Sequence, residues 1–203
     1  MKGFDSKFKN FPDYILGITK EIWEGRSIAS LYDYYDKDII VRSPSSIVVG
    51  NKKVIEATMA TLAEFPDRTL YGEDVIWSGS PNLGMLSSHR IQSTATHNNP
   101  GIYGRPSGRK LKYRIIADCH AKNNKVDDEW LIRDQGAIVK QLDWDPKDFA
   151  RDLISREGGP EKCIKPYRHD NDVKGPYKGK GNDNEWGELF SYTLNQIVSA
   201  DFS

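Results

Sequence analysis

The sequence predicts a mixed α+β domain, with helices on one face of a mostly antiparallel sheet, and three observations carry that reading. Apolar residues recur at helical spacing three times within the first 65 positions. Four long segments between 68 and 134 then read as strands, separated by Gly, Pro and Asn turns. Helices come first and strands follow, the order of an α+β layer and not the alternation of a parallel doubly wound fold.

Phe11, Tyr14, Ile15, Ile18 and Ile22 form the first amphipathic stripe, and Gly25 follows where a left-handed cap ends a helix. Ile28, Leu31, Tyr32 and Tyr35 form a second, shorter stripe, closed by the polar turn Asp36-Lys37-Asp38. The β-branched runs Ile39-Ile40-Val41 and Ile47-Val48-Val49 flank Pro44 and predict a short strand pair. Gly50-Asn51 opens a third helix carrying Val54, Ile55, Thr58, Met59, Leu62 and Phe65, which Pro66 stops. Strands are expected around 68 to 78, 85 to 97, 111 to 121 and 126 to 134, the last two joined by Lys122-Asn123-Asn124-Lys125. Asp145-Pro146 supplies an N-cap and a first-turn proline for a helix with Phe149, Leu153 and Ile154, ended by Gly158-Gly159.

Three units follow from this pattern: a domain over residues 1–158, a linker or extended arm over 159–184, and a C-terminal amphipathic helix over 185–203. The arm is rich in Gly, Pro, Lys, Asn and Asp, lacks periodicity, and should be mobile unless docked. The last stripe, Trp186, Leu189, Phe190, Leu194 and Ile197, must bury itself on its own domain or on a second copy, because a lone helix of this length is marginal in water. Its offsets match those of residues 11 to 22, as the start of a second repeat of the fold would.

Lysine plus arginine and aspartate plus glutamate number 29 each. A formal charge of zero offers no field to draw in nucleic acid or an anionic membrane, so no nucleic-acid partner is expected. Cys119 and Cys163 lack the spacing of a disulfide framework or a zinc site, which indicates a reducing compartment. No apolar run reaches membrane-spanning length and the start has no apolar signal core, so a cytoplasmic protein without a membrane partner is expected. The four histidines are dispersed, and neither a metal nor a cofactor is predicted.

The strand register singles out one carboxylate. With a two-residue turn at Asn123-Asn124, one face carries Tyr113, Ile115, Ala117 and Cys119 opposite Asp134, Ile132, Trp130 and Asp128. Asp134 is then the odd residue on an apolar face. Burial there raises its pKa towards the range useful for proton transfer. Two other readings stand beside this one. Asp134 can cap the turn into Gln135-Gly136, and a one-residue bulge in either strand exposes Asp134 and buries Asp118 with Glu129.

Thr94-Ala95-Thr96-His97, then Tyr103-Gly104-Arg105-Pro106-Ser107-Gly108-Arg109, then Asp128-Glu129-Trp130 through Asp134 to Gln141-Leu142, form an ordered set. Over roughly residues 11 to 155 it resembles the SnoaL-like polyketide cyclases, whose pattern is Thr-His, Gly-x-Pro-Thr-Gly-Arg, and Glu-x-Trp-x-x-x-Asp followed by Gln-Leu-Gly. Asp143 stands where glycine is usual, and Ser107 where threonine is. The resemblance implies a curved sheet wrapped by N-terminal helices into a cone, a cystatin-like roll of the nuclear-transport-factor type. It further implies an apolar pocket for a small hydrophobic ligand, a homodimer, and a single acid/base aspartate, carried over to Asp134. The activity implied is cofactor-independent aldol-type cyclisation or isomerisation.

His89 shares strand parity with Met85, Ile91 and His97, and is the candidate to assist Asp134 or to pair with a substrate oxygen. Trp23, Tyr32, Tyr35, Tyr113 and Trp130 are candidate lining residues for a flat ligand, with His97 at the rim. Each has an ordinary alternative as core. Arg114, Arg133 and Glu129 read as a charge ladder on the outer face. A non-catalytic binding or interaction domain of the same fold is the competing function. An epoxide-hydrolase-like enzyme is disfavoured, because the only Arg-x-Asp, Arg168-His169-Asp170, falls in the linker.

Overall fold

A computed structural model describes residues 1–175 and 185–199. Part of the predicted arm (176–184), the chain end (200–203) and the side chain of Trp186 lie outside the described residues.

Helix α1, Phe11–Trp23, starts where the Asn10 side chain accepts the Asp13 N–H, and it buries the predicted stripe of Phe11, Tyr14, Ile15, Ile18 and Ile22. The second predicted helix is shorter than its stripe suggested. A 3-10 turn, Ile28–Ser30, leads into α2, Leu31–Tyr34, and Tyr35 already begins strand β1, Tyr35–Ser43. With only one helical turn to share, Tyr32 points outward, 52% exposed. Strand β2, Ser46–Val49, pairs back on β1, and α3, Asn51–Glu64, ends just before Pro66. Four long strands follow: β3, Thr69–Ser80; β4, Gly84–Thr96; β5, Lys110–Lys122; and β6, Lys125–Arg133.

They form one curved, unclosed sheet in the order β2-β1-β6-β5-β4-β3, antiparallel except where β1 runs parallel to β6. α1 packs across β3 and β4. Its apolar stripe meets Met85, Ile91, Tyr113, Ile115, Ala117 and Cys119 in one core. The burial of these apolar surfaces is the main term holding helix to sheet.

The β5–β6 hairpin turns on Asn123 and Asn124 as predicted, both in the left-handed region at φ 51° and 64°. Asparagine tolerates that conformation, which a two-residue hairpin demands at both positions. Lys122 opposes Lys125 and Ala121 opposes Val126, but the register then slips and His120 opposes Asp128. The extra residue is Asp127, whose carboxylate lies 2.5 Å from His120 Nδ1. Beyond this bulge every β6 side chain changes face relative to the simple pairing. Cys119 opposes Glu129, Ala117 opposes Leu131 and Ile115 opposes Arg133. Glu129, Leu131 and Arg133 therefore face inward. The outer charge ladder is thus corrected, because only Arg114 of the three faces out, pairing with Glu73 through contacts of 2.9 and 3.0 Å.

Helix α4, Gln135–Gln141, and helix α5, Pro146–Arg156, follow the sheet, and the chain then returns over its outer face. Tyr167 N–H donates to Pro44 O at 3.1 Å, and its ring stands edge-on to Trp130 at 5.2 Å. Arg42 locks this strap in place. It pairs with Asp128, reaches Asp172 at 2.5 Å, and donates to Val173 O at 2.6 Å. The last helix, α6, Glu185–Ser199, carries Leu189, Phe190, Leu194 and Ile197 exposed on this single chain. Among the described residues, no helix is long and apolar enough to cross a membrane.

Candidate functional site

The inner face of the sheet holds two groups of polar residues, one towards each end of β6. At the far end, Arg68 precedes β3, Ser93 sits on β4, Tyr113 opposes Ser93 on β5, and Arg133 closes β6. Arg68 is 1% exposed. Its guanidinium carbon lies 4.4 Å from the Trp23 ring centre and 6.0 Å from that of Tyr113, within cation–π range of both. Nε donates to Ser93 Oγ at 3.3 Å, while Nη1 is buried with no hydrogen-bond partner among the described residues. Burial pushes the Arg68 pKa down to about 10, with the neighbouring Arg133 adding to the shift and Tyr113 opposing it. The Arg68 guanidinium therefore stays charged at neutral pH.

Nearer the hairpin, Glu129 is buried beside Cys119, and Tyr35 OH donates to its Oε2 at 3.0 Å. Burial raises the Glu129 pKa, against the lowering influence of the Tyr35 hydrogen bond and of Arg133. A carboxylate held with one protein hydrogen bond in an apolar setting is a strong base once ionised. Between the two groups, His89 is 2% exposed with Nε2 lacking a partner among the described residues, and burial lowers its pKa to about 4.

Asp134 is the chief correction. The bulge at Asp127 places it beyond the end of β6, exposed, where its side chain accepts the Ala137 N–H at 2.9 Å as the N-cap of α4. The predicted apolar burial is absent. Asp134 lines an open cleft of about 380 Å³ with Gln92, Lys112, Tyr113, Arg114 and Ala137. A second cleft, of about 330 Å³, lies between Asp67, Thr94 to Thr96 and Lys110 to Lys112. Neither cleft is lined by Glu129 or Arg68.

Of the predicted lining residues, Trp23 and Tyr113 come together, with Arg68 between them, and Tyr35 reaches Glu129. Tyr32 and Trp130 do not join them. Trp130 faces outward, because the bulge reversed its strand, and lies against Arg42 and Tyr167. His97 is inside the fold and not at a rim. It is 1% exposed, its Nδ1 is 3.2 Å from Ser107 Oγ, and its Nε2 is 3.3 Å from Glu64 without hydrogen-bond alignment. Glu64 in turn accepts the N–H groups of Ile102 at 3.1 Å and Tyr103 at 2.8 Å, which ties the 101–109 loop to α3. A Cβ at Gly101 would sit 2.2 Å from the Glu64 carboxyl carbon, so any larger residue there would have to displace that carboxylate.

Sequence reasoning missed Arg68 and Ser93 altogether and put Arg133 on the outer face. Glu129 was legible only through the bulged register, which pattern alone does not select. Among the described residues, no group of three or more His, Cys, Asp or Glu side chains is placed to hold a metal ion.

A curved six-stranded sheet with helices against its inner face, and ionisable groups gathered on that face, defines a small α+β cone protein. The chain belongs to the SnoaL-like polyketide cyclase family, whose family model matches residues 13–142. Solved structures of the same fold include IdmH from Streptomyces antibioticus, 18% identical, covering 65% of this chain and 97% of its own, with a TM-score of 0.56. AclR from Streptomyces galilaeus is 17% identical, covers 66% of this chain and 85% of its own, and has a TM-score of 0.57. A SnoaL-like polyketide cyclase from Agrobacterium tumefaciens is 16% identical over 64% of this chain and 96% of its own, with a TM-score of 0.51. A search among curated protein sequences finds no match.

Proposed function

We propose that the chain is a cofactor-independent acid/base protein acting on a small hydrophobic carbonyl compound, by aldol-type cyclisation or isomerisation, with Glu129 as the proton carrier. The observation that carries this reading is the burial of Glu129 on the inner face, with a raised pKa and one phenol partner. The ionised carboxylate takes a proton from a carbon activated by a neighbouring carbonyl. The resulting enolate carbon bonds to an acceptor carbonyl carbon, and the new alkoxide takes the proton back from Glu129. Proton and electron count balance without a redox partner, and the base is regenerated. Asp134, which the family resemblance favours for this role, is occupied instead with capping α4.

A homodimer is part of the same proposal, supported by exposed apolar residues on the outer sheet face, Ile76, Leu86 and Ile132. A cytoplasmic setting is supported by the free thiols of Cys119 and Cys163. A second reading, non-catalytic binding, is favoured by the packing of the inner face, since neither open cleft is lined by Glu129.

Exchange of the activated C–H of ethyl benzoylacetate in D2O, followed by proton NMR, tests the proposal whatever the natural substrate is. The protein should accelerate exchange above buffer. Glu129→Gln should abolish the acceleration and Asp134→Asn should keep it. The opposite pattern returns the role to Asp134, and no acceleration by the unmodified protein across a panel of 1,3-dicarbonyl compounds favours the binding reading.

A further inference from the structure

We propose that Arg68 and Arg133 form a binding site for the carboxylate of a planar organic ligand, whose ring system is received by Trp23 and Tyr113. This goes beyond the acid/base reading and holds whether or not Glu129 moves a proton. Arg68 is among the most deeply buried side chains of the fold, yet no carboxylate pairs with it among the described residues. Its Nε donates to Ser93, a neutral group that is itself already donating to Thr69 O at 3.1 Å. Among the described residues, Nη1 of Arg68 and Nε of Arg133 are both buried donors without an acceptor. Arg68 also feels the like charge of Arg133.

A fully buried guanidinium beside a half-buried one, each with a buried N–H unpaired among the described residues, is costly, because buried polar groups are normally paired and buried charges compensated. This chain does complete such pairing elsewhere, since Arg42, equally buried, meets Asp128, Asp172 and a backbone carbonyl. An anionic oxygen pair suits these donors chemically. It supplies acceptors in the planar, forked geometry that guanidinium groups prefer and cancels the repulsion between the two arginines.

The surroundings select the rest of the ligand. The faces of Trp23 and Tyr113 already flank the Arg68 guanidinium, and Tyr103 lies close enough to feel both arginines. Aromatic walls favour a flat, partly aromatic acid over a hydrated inorganic ion. Trp23, at the end of α1, and Arg133 are only half-buried, so this is the side of the cluster nearest solvent.

Titration calorimetry with 2-naphthoate, its neutral analogue 2-naphthamide, and inorganic phosphate tests the assignment on the full chain. Naphthoate should bind at least about tenfold more tightly than the amide, the scale of one charge-assisted pair. Arg68→Met and Arg133→Met should each remove that preference, while Arg114→Met, on the outer face, should not. Should Arg68→Met fail to fold, Arg133→Met decides, together with the Nε–Hε NMR resonances of Arg68 and Arg133, which should move on adding naphthoate and not the amide. Equal binding of acid and amide, no binding of the acid, or an unchanged preference in Arg133→Met overturns the proposal. Phosphate matching naphthoate overturns the choice of an organic acid.

Discussion

Arg42 and Arg68 are equally hidden from water, 2% and 1% exposed, but they lie on opposite faces of the sheet and in opposite electrostatic states. Burial alone would lower the Arg42 pKa, yet hydrogen bonds to Asp128 and Asp172 carry it above the usual value. Arg68 has no carboxylate partner among the described residues, and burial drives its pKa down. The outer cluster is a finished latch, in which the chain supplies both charges to fasten its own arm. The inner cluster keeps buried donors unpaired among the described residues, which the proposed binding face needs and a purely structural core avoids.

The largest predicted effect follows from that contrast. Arg42→Met leaves Asp128 buried beside an apolar side chain and should cost about 3–5 kcal/mol, as breaking one half of a buried pair does. Arg68→Met removes an uncompensated charge and should change stability by no more than about 1 kcal/mol, in either direction. Urea unfolding of both variants at pH 7 and equal ionic strength reads the difference. Comparable losses in the two would erase the distinction between latch and open site. Limited proteolysis sharpens it further, since cleavage after Arg168 should appear in Arg42→Met and not in Arg68→Met.

His89 extends the comparison to a buried group that stays neutral. Its pKa is lowered to about 4 by burial, against an ordinary value of 6.5. Between those two values the unfolded chain binds a proton that the folded chain does not, so this residue makes stability fall as the pH drops from 6.5 towards 4. Glu129 works in the opposite sense: with its folded pKa raised, the folded state binds the extra proton and loses relative stability as the pH rises from the ordinary carboxylate range up through that raised value. His89→Leu should therefore show a smaller loss of urea midpoint between pH 7 and pH 5 than the unmodified protein. The same loss in both would mean that His89 is protonated inside the fold.

The elements were legible in the sequence because each rests on a local signal. The α1 stripe, the Pro66 stop, the Asn123-Asn124 turn and the Asp145 cap are read from a few neighbouring residues, and each is where the pattern put it. The site was not, because it depends on the single extra residue Asp127. The simple register put Ile132 and Trp130 inward, which satisfies an apolar core better than Glu129 and Arg133 do. Hydrophobic patterning therefore chose the wrong face at the one place where the fold buries charge. Arg68 was invisible for a related reason, since an arginine following Pro66-Asp67 reads as a surface turn until the Trp23 and Tyr113 rings are brought around it.

The smallest predicted effect concerns Asp134, where the two registers make opposite claims. As an exposed N-cap it gives one acceptor to the Ala137 N–H, so Asp134→Ala should cost about 1 kcal/mol. Asp134→Asn should cost almost nothing, because asparagine caps about as well. A catalytic carboxyl group on the apolar face would behave differently. It would be a desolvated acid, so alanine would relieve a burial penalty and could raise stability, as removal of strained active-site groups often does. Urea midpoints for the two variants at pH 7 separate these cases. A loss in alanine restored by asparagine belongs to the helix cap, whereas a gain in both would mean that the bulge at Asp127 is not the register the protein uses in solution.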